Sequence, residues 1–173
     1  MKPGPGRLAP ALKLVLVFVF VFVFVLLAAP PATGDGLLQG KVVGVADGDT
    51  ITVLSGRASV KVRLWGIDSP EGGQPYGKVA KRYASDLSYG RLVEVRTKDV
   101  DRYGRVVGEV ILPGGKSLNR EMVRAGFAWW YYDYAKKDLE LALLEREARG
   151  ARRGLWADPN PVPPWAWRRA RRK

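Results

Sequence analysis

Between residues 38 and 112 apolar and polar positions alternate in short runs broken by turn residues, with one helical interruption. Leu38–Val45, Thr50–Leu54 and Ser59–Ile67 read as three strands of a meander, joined through Asp47-Gly48-Asp49 and Ser55-Gly56-Arg57. The period then changes. Val79, Tyr83 and Leu87 recur at steps of four, with Ala80 and Ala84 beside them, which predicts a helix over 76–87 with one apolar face. Strand alternation resumes in Leu92–Thr97 and Val106–Leu112, on either side of Asp101-Arg102-Tyr103-Gly104-Arg105. Ser117 is placed to cap a second helix running to Arg124, with Gly126 just past its end. Leu141, Leu144 and Ala148 mark a third helix over 138–149. Five short strands, one inserted helix and two later ones predict an α+β fold, mainly β, whose sheet curls into a small barrel. A five-stranded oligonucleotide-binding (OB-fold) barrel with three helices fits this order best.

Both ends depart from the pattern. Leu14–Ala29 is a run of 16 apolar residues, preceded by Lys2, Arg7 and Lys13 and followed by Pro30, Pro31 and Ala32. Charged start, apolar middle and small residues near the end are the regions of an export signal. As a helix the run spans about 24 Å at ~1.5 Å per residue, short of a ~30 Å hydrocarbon core. Residues 1–32 are therefore read as a signal peptide or N-terminal anchor, and the remainder as exported: secreted, periplasmic or membrane-anchored through residues 14–29. Residues 33–37 form a linker, 38–157 the folded domain and 158–173 a Pro/Arg-rich C-terminal tail expected to be mostly extended or disordered.

Composition narrows the chemistry. His and Cys are both absent, which excludes an imidazole base, a thiol nucleophile, a disulfide framework and any His- or thiolate-held metal. A divalent ion would have to be a hard one held by oxygen, calcium or magnesium. The formal charge of +12 favours an anionic partner, but its distribution matters more than its size. Residues 30–164 carry 21 cations against 17 acids, so the excess sits mainly at the two ends.

Three segments concentrate polar groups: Asp47-Gly48-Asp49-Thr50, Arg63-Leu64-Trp65-Gly66-Ile67-Asp68-Ser69-Pro70-Glu71, and Asp101-Arg102-Tyr103-Gly104-Arg105. Taken singly, each has a structural explanation. Asp-Gly is a favoured hairpin turn, Asp68-Ser69-Pro70-Glu71 reads as a helix start, and Tyr103-Gly104 is a turn between strands. Taken together they match the needs of phosphodiester hydrolysis, which requires an ion, an attacking water and neutralisation of charge at phosphorus. Asp49 and Asp68, at strand ends, are candidate calcium ligands. Glu71 can orient or deprotonate the water. Arg63 and Arg105 can each donate two hydrogen bonds to phosphate oxygens.

The ordered set of Asp-Gly-Asp-Thr, an Arg with Asp-Ser-Pro-Glu five residues later, and Asp-x-Tyr-Gly-Arg resembles the staphylococcal nuclease (thermonuclease) family, from about Leu38 to Trp156. The resemblance implies an OB-fold barrel and calcium-dependent (Ca2+) cleavage of DNA and RNA that leaves 3′-phosphate ends. It implies further that Asp49 and Asp68 are carboxylate ligands, that Ser69 contributes its backbone carbonyl, and that Glu71 is the general base. Arg63 and Arg105 would stabilise the transition state, and Tyr103 and Tyr132 would contact the nucleotide. Ser69 stands where the best-known member has Thr, and the segment 72–77 is shorter than that member's loop. The competing class is a noncatalytic nucleic-acid or surface-binding module; the acids such modules lose are retained here. Of the run Trp129-Trp130-Tyr131-Tyr132, at least one Trp is expected in the core. The Arg-rich tail is expected to hold anionic surfaces nonspecifically, and the chain to act as a monomer.

Overall fold

The computed structural model describes Met1 and residues 36–171. The apolar run of residues 14–29, and with it the export reading, lies outside the described residues. Among the described residues no helix is long and apolar enough to cross a membrane.

Strands β1 (Leu37–Val45), β2 (Thr50–Ser55) and β3 (Ala58–Leu64) form an antiparallel meander. Helix α1 (Gly77–Ser88) leads to β5 (Leu92–Val100) and β6 (Val106–Ile111), while the two-residue strand β4 (Ile67–Asp68) lies between β3 and α1. The barrel closes in the order β1-β2-β3-β6-β5, with β3 and β6 parallel. Closure rests on β1 serving two neighbours. Its first half pairs with β5, from Leu37↔Arg96 to Lys41↔Leu92, and its second half with β2. Gly40 sits at that changeover, where a Cβ would lie 2.3 Å from the Leu54 carbonyl oxygen; only glycine lets the strands approach so closely. This is the mixed five-stranded barrel of an OB-fold.

The alternation read from the sequence is realised as burial. Val42, Ile51, Val53, Val62, Val95 and Val110 are fully enclosed. Each such side chain contributes roughly 1.5–3 kcal/mol. Helix α2 (Leu118–Arg124) adds Leu118, Met122 and Val123 to the same core, and α3 (Leu139–Gly150) adds Leu141 and Leu144. Ser117 caps α2 and Asp138 caps α3, each accepting a backbone N–H three residues on. A smaller cluster of Trp129, Ala148, Leu155 and Trp156 lies apart from the barrel core, with Tyr76 and Trp165 against it.

Four expectations need correction. Ser59–Ile67 is not one strand: it breaks at Trp65-Gly66, where Gly66 takes φ +75°, and β4 then pairs with β7 (Trp129–Trp130) instead of the barrel. Asp68-Ser69-Pro70-Glu71 does not start a helix, which begins only at Gly77 after turns. The buried line of α1 is Gly77, Ala80, Ala84 and Ser88, flanked by Tyr83 and Leu87, and Val79 faces solvent; small residues are preferred because the helix lies close to the barrel. Finally, the described part of the tail is neither disordered nor wholly extended. Pro164–Ala170 is a fourth helix, α4, beside the expected three and a 3₁₀ turn at Gly154–Ala157. Pro163 and Pro164 preset its first turn, and Trp165 anchors it by stacking on Tyr131.

Candidate active site

The turn between β1 and β2 is a tight one, closed by Ala46 N–H donating to the Thr50 carbonyl, and the Asp47 carboxylate accepts the Asp49 N–H at 3.0 Å. It presses against the segment after β4. A Cβ on Gly48 would lie 2.7 Å from Ser69 Oγ, and this close approach lets Asp49 Oδ2 accept the Ser69 N–H at 2.6 Å. Ser69 is held from its other side by a 3.1 Å hydrogen bond from its hydroxyl to the Phe127 carbonyl. Register does the rest: Thr50 lies opposite Arg63, so the start of β2 and the end of β3 share one lip of the barrel.

At that lip Asp49 and Asp68, only 5% and 1% exposed, meet a single guanidinium. Arg63 contacts Asp49 through Nη1 and Asp68 Oδ1 through Nη2 at 2.7 Å. Carboxylates this deeply buried are costly unless paired, and the shared arginine supplies that pairing. Burial lowers the Arg63 pKa, an effect that Asp68 and Asp47 only partly offset and that nearby Arg105 reinforces. Arg105 is thus within electrostatic reach of Arg63. It is aimed by Asp101, whose Oδ2 accepts Arg105 Nε at 2.7 Å and whose Oδ1 accepts the N–H groups of Tyr103 and Arg105 at 2.9 and 3.0 Å. Burial pushes the Asp101 carboxyl up, but these hydrogen bonds from Arg105 and Tyr103 outweigh it and hold the pKa below the usual range.

Glu71 joins the acids through a residue of the tail. Arg168 of α4 donates to Asp68 Oδ1 and Oδ2 at 3.2 and 2.8 Å and to Glu71 Oε1 at 2.7 Å. Burial lowers the pKa of this guanidinium, yet the hydrogen bonds to Asp68 and Glu71 raise it on balance. Gln74, itself buried, completes the frame: its Oε1 accepts the Glu71 N–H at 3.2 Å and its Nε2 donates to the Val162 carbonyl at 2.6 Å. Asn119 holds the neighbouring break in β3 by donating to the carbonyls of Trp65 and Gly108 and accepting the Val110 N–H.

The sequence-derived residues therefore divide. Asp49, Arg63, Asp68, Ser69 and Glu71 form one contiguous cluster, with Arg105 at its edge. Tyr103 and Tyr132 are more than half exposed and, among the described residues, make no hydrogen bond to the acids. Tyr103 lies under the guanidinium groups of Arg102 and Arg105, and Tyr132 under the Lys136 ammonium. Of the two Trp residues, Trp129 is buried and Trp130 partly so. Among the described residues no group of three or more Asp and Glu side chains gathers as a ready-made cation cage. Two buried carboxylates with the Ser69 carbonyl next in sequence are an oxygen-only donor set, which suits calcium better than a softer ion.

Arg168, Gln74, Asn119 and Asp101 were not singled out from sequence as site residues. For Arg168 a signal was present in Pro163-Pro164-Trp165-Ala166-Trp167-Arg168, a proline pair before two large aromatics, which is unlike a solvated tail. Asp101 and Asn119 act through hydrogen bonds that spacing alone does not specify.

The family profile described as "Staphylococcal nuclease homologue" matches residues 61–158, more than half of the chain. The chain belongs to the staphylococcal nuclease family. Among similar proteins, an "Uncharacterized endonuclease" of Escherichia coli is 47% identical over 131 residues, which are 76% of this chain and 85% of that protein. A "Micrococcal nuclease" of Shigella flexneri is 45% identical over 154 residues, 84% of this chain and 87% of its own length. A further "Uncharacterized endonuclease", from Haemophilus influenzae (strain ATCC 51907 / DSM 11121 / KW20 / Rd), is 43% identical over 131 residues, 75% of this chain and 72% of that one. Membership extends to the chemistry-bearing segment, since the matched span includes Arg63, Asp68, Glu71 and Arg105.

Proposed function

We propose that this chain is a calcium-dependent nuclease that hydrolyses phosphodiester bonds of DNA and RNA and leaves 3′-phosphate ends. The observation that carries the reading is the pair of buried acids, Asp49 and Asp68, meeting at Arg63 with Glu71 one residue contact away. Asp49, Asp68 and the Ser69 carbonyl would hold calcium, which when bound offsets the charge of the phosphate and of the developing transition state. Arg63 keeps several of its five N–H donors after its two carboxylate contacts, and these are available to a phosphate oxygen. Arg105, aimed by Asp101, supplies a second fork to the same phosphate. Glu71, the most solvent-accessible of the three acids, would accept a proton from water or orient it. Tyr103 and Tyr132 offer exposed ring faces to a base or sugar. The pattern of residues 1–32 supports export of the domain, where calcium is the more available hard cation.

Digesting single- and double-stranded DNA and RNA with the purified protein, in calcium and then in excess chelator, tests the reading. Cleavage should require calcium, and the fragments should accept a phosphate at their 5′-hydroxyl from a kinase but should not be extended at the 3′ end by a polymerase until a phosphatase removes the 3′-phosphate. Persistence of cleavage in chelator, or cleavage of none of the substrates in calcium, would refute it.

A further inference from the structure

The catalytic reading uses Asp68 and Glu71 as free acids, yet in the structure both are held by the C-terminal segment. Arg168 spans them with three hydrogen bonds, covering both oxygens of Asp68 and one of Glu71. The segment that carries it is docked at three further points. Trp165 stacks on Tyr131 at 5.4 Å with only 5° between the rings, and meets Trp129 edge-on at 5.6 Å. The Val162 carbonyl takes the hydrogen bond of Gln74, the residue that also holds the Glu71 N–H. Trp167 lines one small pocket together with Pro70, Gln74 and Tyr76, from the segment that carries Glu71.

We propose that residues 161–170 are an intramolecular latch, in which the Arg168 guanidinium competes with the divalent cation for Asp68 and keeps Glu71 from its substrate water. The inference rests on the calcium-nuclease reading above. Charge and shape support competition rather than a share in catalysis. Arg63 engages only Oδ1 of Asp68; Arg168 Nη2 takes Oδ2 as well, so while the segment is docked both oxygens that a cation would need are already held by guanidinium groups. The segment is also built to come away. Seven residues make a helix too short to persist alone, and α4 has no side-chain cap at its N-terminus, so it stays folded through what it touches. Arg168, Arg169 and Arg171 give the released segment a positive face that favours an anionic polymer, so arrival of nucleic acid would work with calcium to open it. The apparent calcium constant of such a protein is its intrinsic constant divided by the open fraction. A latch closed for about nine-tenths of the time weakens apparent calcium affinity about tenfold.

The test uses the full chain, as wild type and as Arg168→Ala and Arg168→Gln. Each is titrated with calcium by calorimetry, and each is assayed for DNA cleavage across the same calcium range. Amide hydrogen exchange of residues 164–170 in the wild type is measured with and without calcium. Both variants should bind calcium about tenfold more tightly, reach half-maximal cleavage at correspondingly lower calcium, and match or exceed the wild-type maximal rate. Exchange over 164–170 should quicken when calcium is added. Unchanged calcium affinity in both variants overturns the latch while leaving the nuclease reading intact, as does a fall in maximal rate at saturating calcium, which would make Arg168 a phosphate-binding group. Exchange that ignores calcium also overturns it. Absence of calcium binding and of cleavage in all three proteins overturns the latch and the nuclease reading together.

Discussion

Replacing Gly77 with Ala separates a position that shapes the site from one that merely neighbours it. Gly77 opens α1, and a Cβ built there would stand 1.9 Å from the Glu71 carbonyl oxygen, 2.7 Å from its carbon and 3.2 Å from the Pro70 oxygen. All three are backbone atoms, so no side chain can swing aside. The carbonyl in question is fixed in its turn by the Gln74 N–H at 2.8 Å. To restore contact of roughly 3.4 Å between nonbonded atoms, the Glu71 backbone must retreat by about 1.5 Å or the helix must shift by as much. A catalytic group misplaced by ~1 Å costs on the order of 10²-fold in rate, or ~2.7 kcal/mol in the barrier. The strain itself should cost about 1–3 kcal/mol of stability, which a folded domain can absorb. Gly72 provides the control: it adjoins Glu71 in sequence, but a Cβ there meets nothing within 4 Å. Steady-state cleavage of a defined oligonucleotide at saturating calcium, with circular dichroism and thermal melting on the same samples, should show Gly77→Ala folded, a few degrees less stable and about a hundredfold slower, and Gly72→Ala near wild type. A Gly77→Ala variant at full rate, or a Gly72→Ala variant equally slow, would show that Glu71 is not positioned by this contact.

Three further outcomes follow from the same contacts. Arg105→Ala should slow cleavage on the order of 10²- to 10³-fold with the fold intact, Asp101→Asn should slow it less, and the double variant no more than Arg105→Ala alone; additive losses in kcat would show that Asp101 does not act through Arg105. Arg63→Ala should cost about 3 kcal/mol of stability in chelator by leaving Asp49 buried without a guanidinium and Asp68 with Arg168 alone, which denaturant titration reads directly, and a loss below ~1 kcal/mol would contradict their dependence on Arg63. Burial raises the Glu145 pKa, against the pull of Arg149 and of the Trp130 N–H at 3.1 Å. The folded state therefore holds this proton more tightly than the unfolded chain, and stability is lost as pH rises from about 4 through the raised value. Glu145→Gln, which keeps an acceptor for Trp130, should melt above wild type at pH 7 and lose that advantage near pH 4; a pH-independent difference would refute the assignment.

The barrel was legible because its strands carry the period of a half-buried sheet and its turns carry Gly and Asp. Thr50↔Arg63 pairing could not be read directly, yet the short turn at Ser55-Gly56-Arg57 nearly dictates it. Ser59–Ile67 misled because apolar residues continue through Leu64, Trp65 and Ile67 across the backbone break, and Gly66 marks that break only once its positive φ is known. The helix start assigned to Asp68–Glu71 failed for a related reason. Capping residues were present, but Asp68 is committed to Arg63 and Ser69 to Asp49 and Phe127, so tertiary partners took the groups a cap would have used. The acids and arginines of the site came from residue type and order. Their supports, Asp101, Gln74 and Asn119, did not, because a positioning hydrogen bond leaves no spacing rule behind it.

The tail shows where reasoning from bulk charge stops. Five cations in nine residues suggest diffuse attraction, and charge of that kind is screened within about 10 Å at ordinary salt. A guanidinium seated on two acids, one of them 1% exposed, belongs to a different regime, because burial removes the solvent that does the screening. Salt then becomes the discriminator between the two roles of the same segment. If the tail acts only by diffuse attraction, raising salt should weaken nucleic-acid binding without altering calcium affinity. If Arg168 is a competitor for Asp68, the calcium-affinity gap between wild type and Arg168→Ala should survive in salt that has already abolished the diffuse contribution.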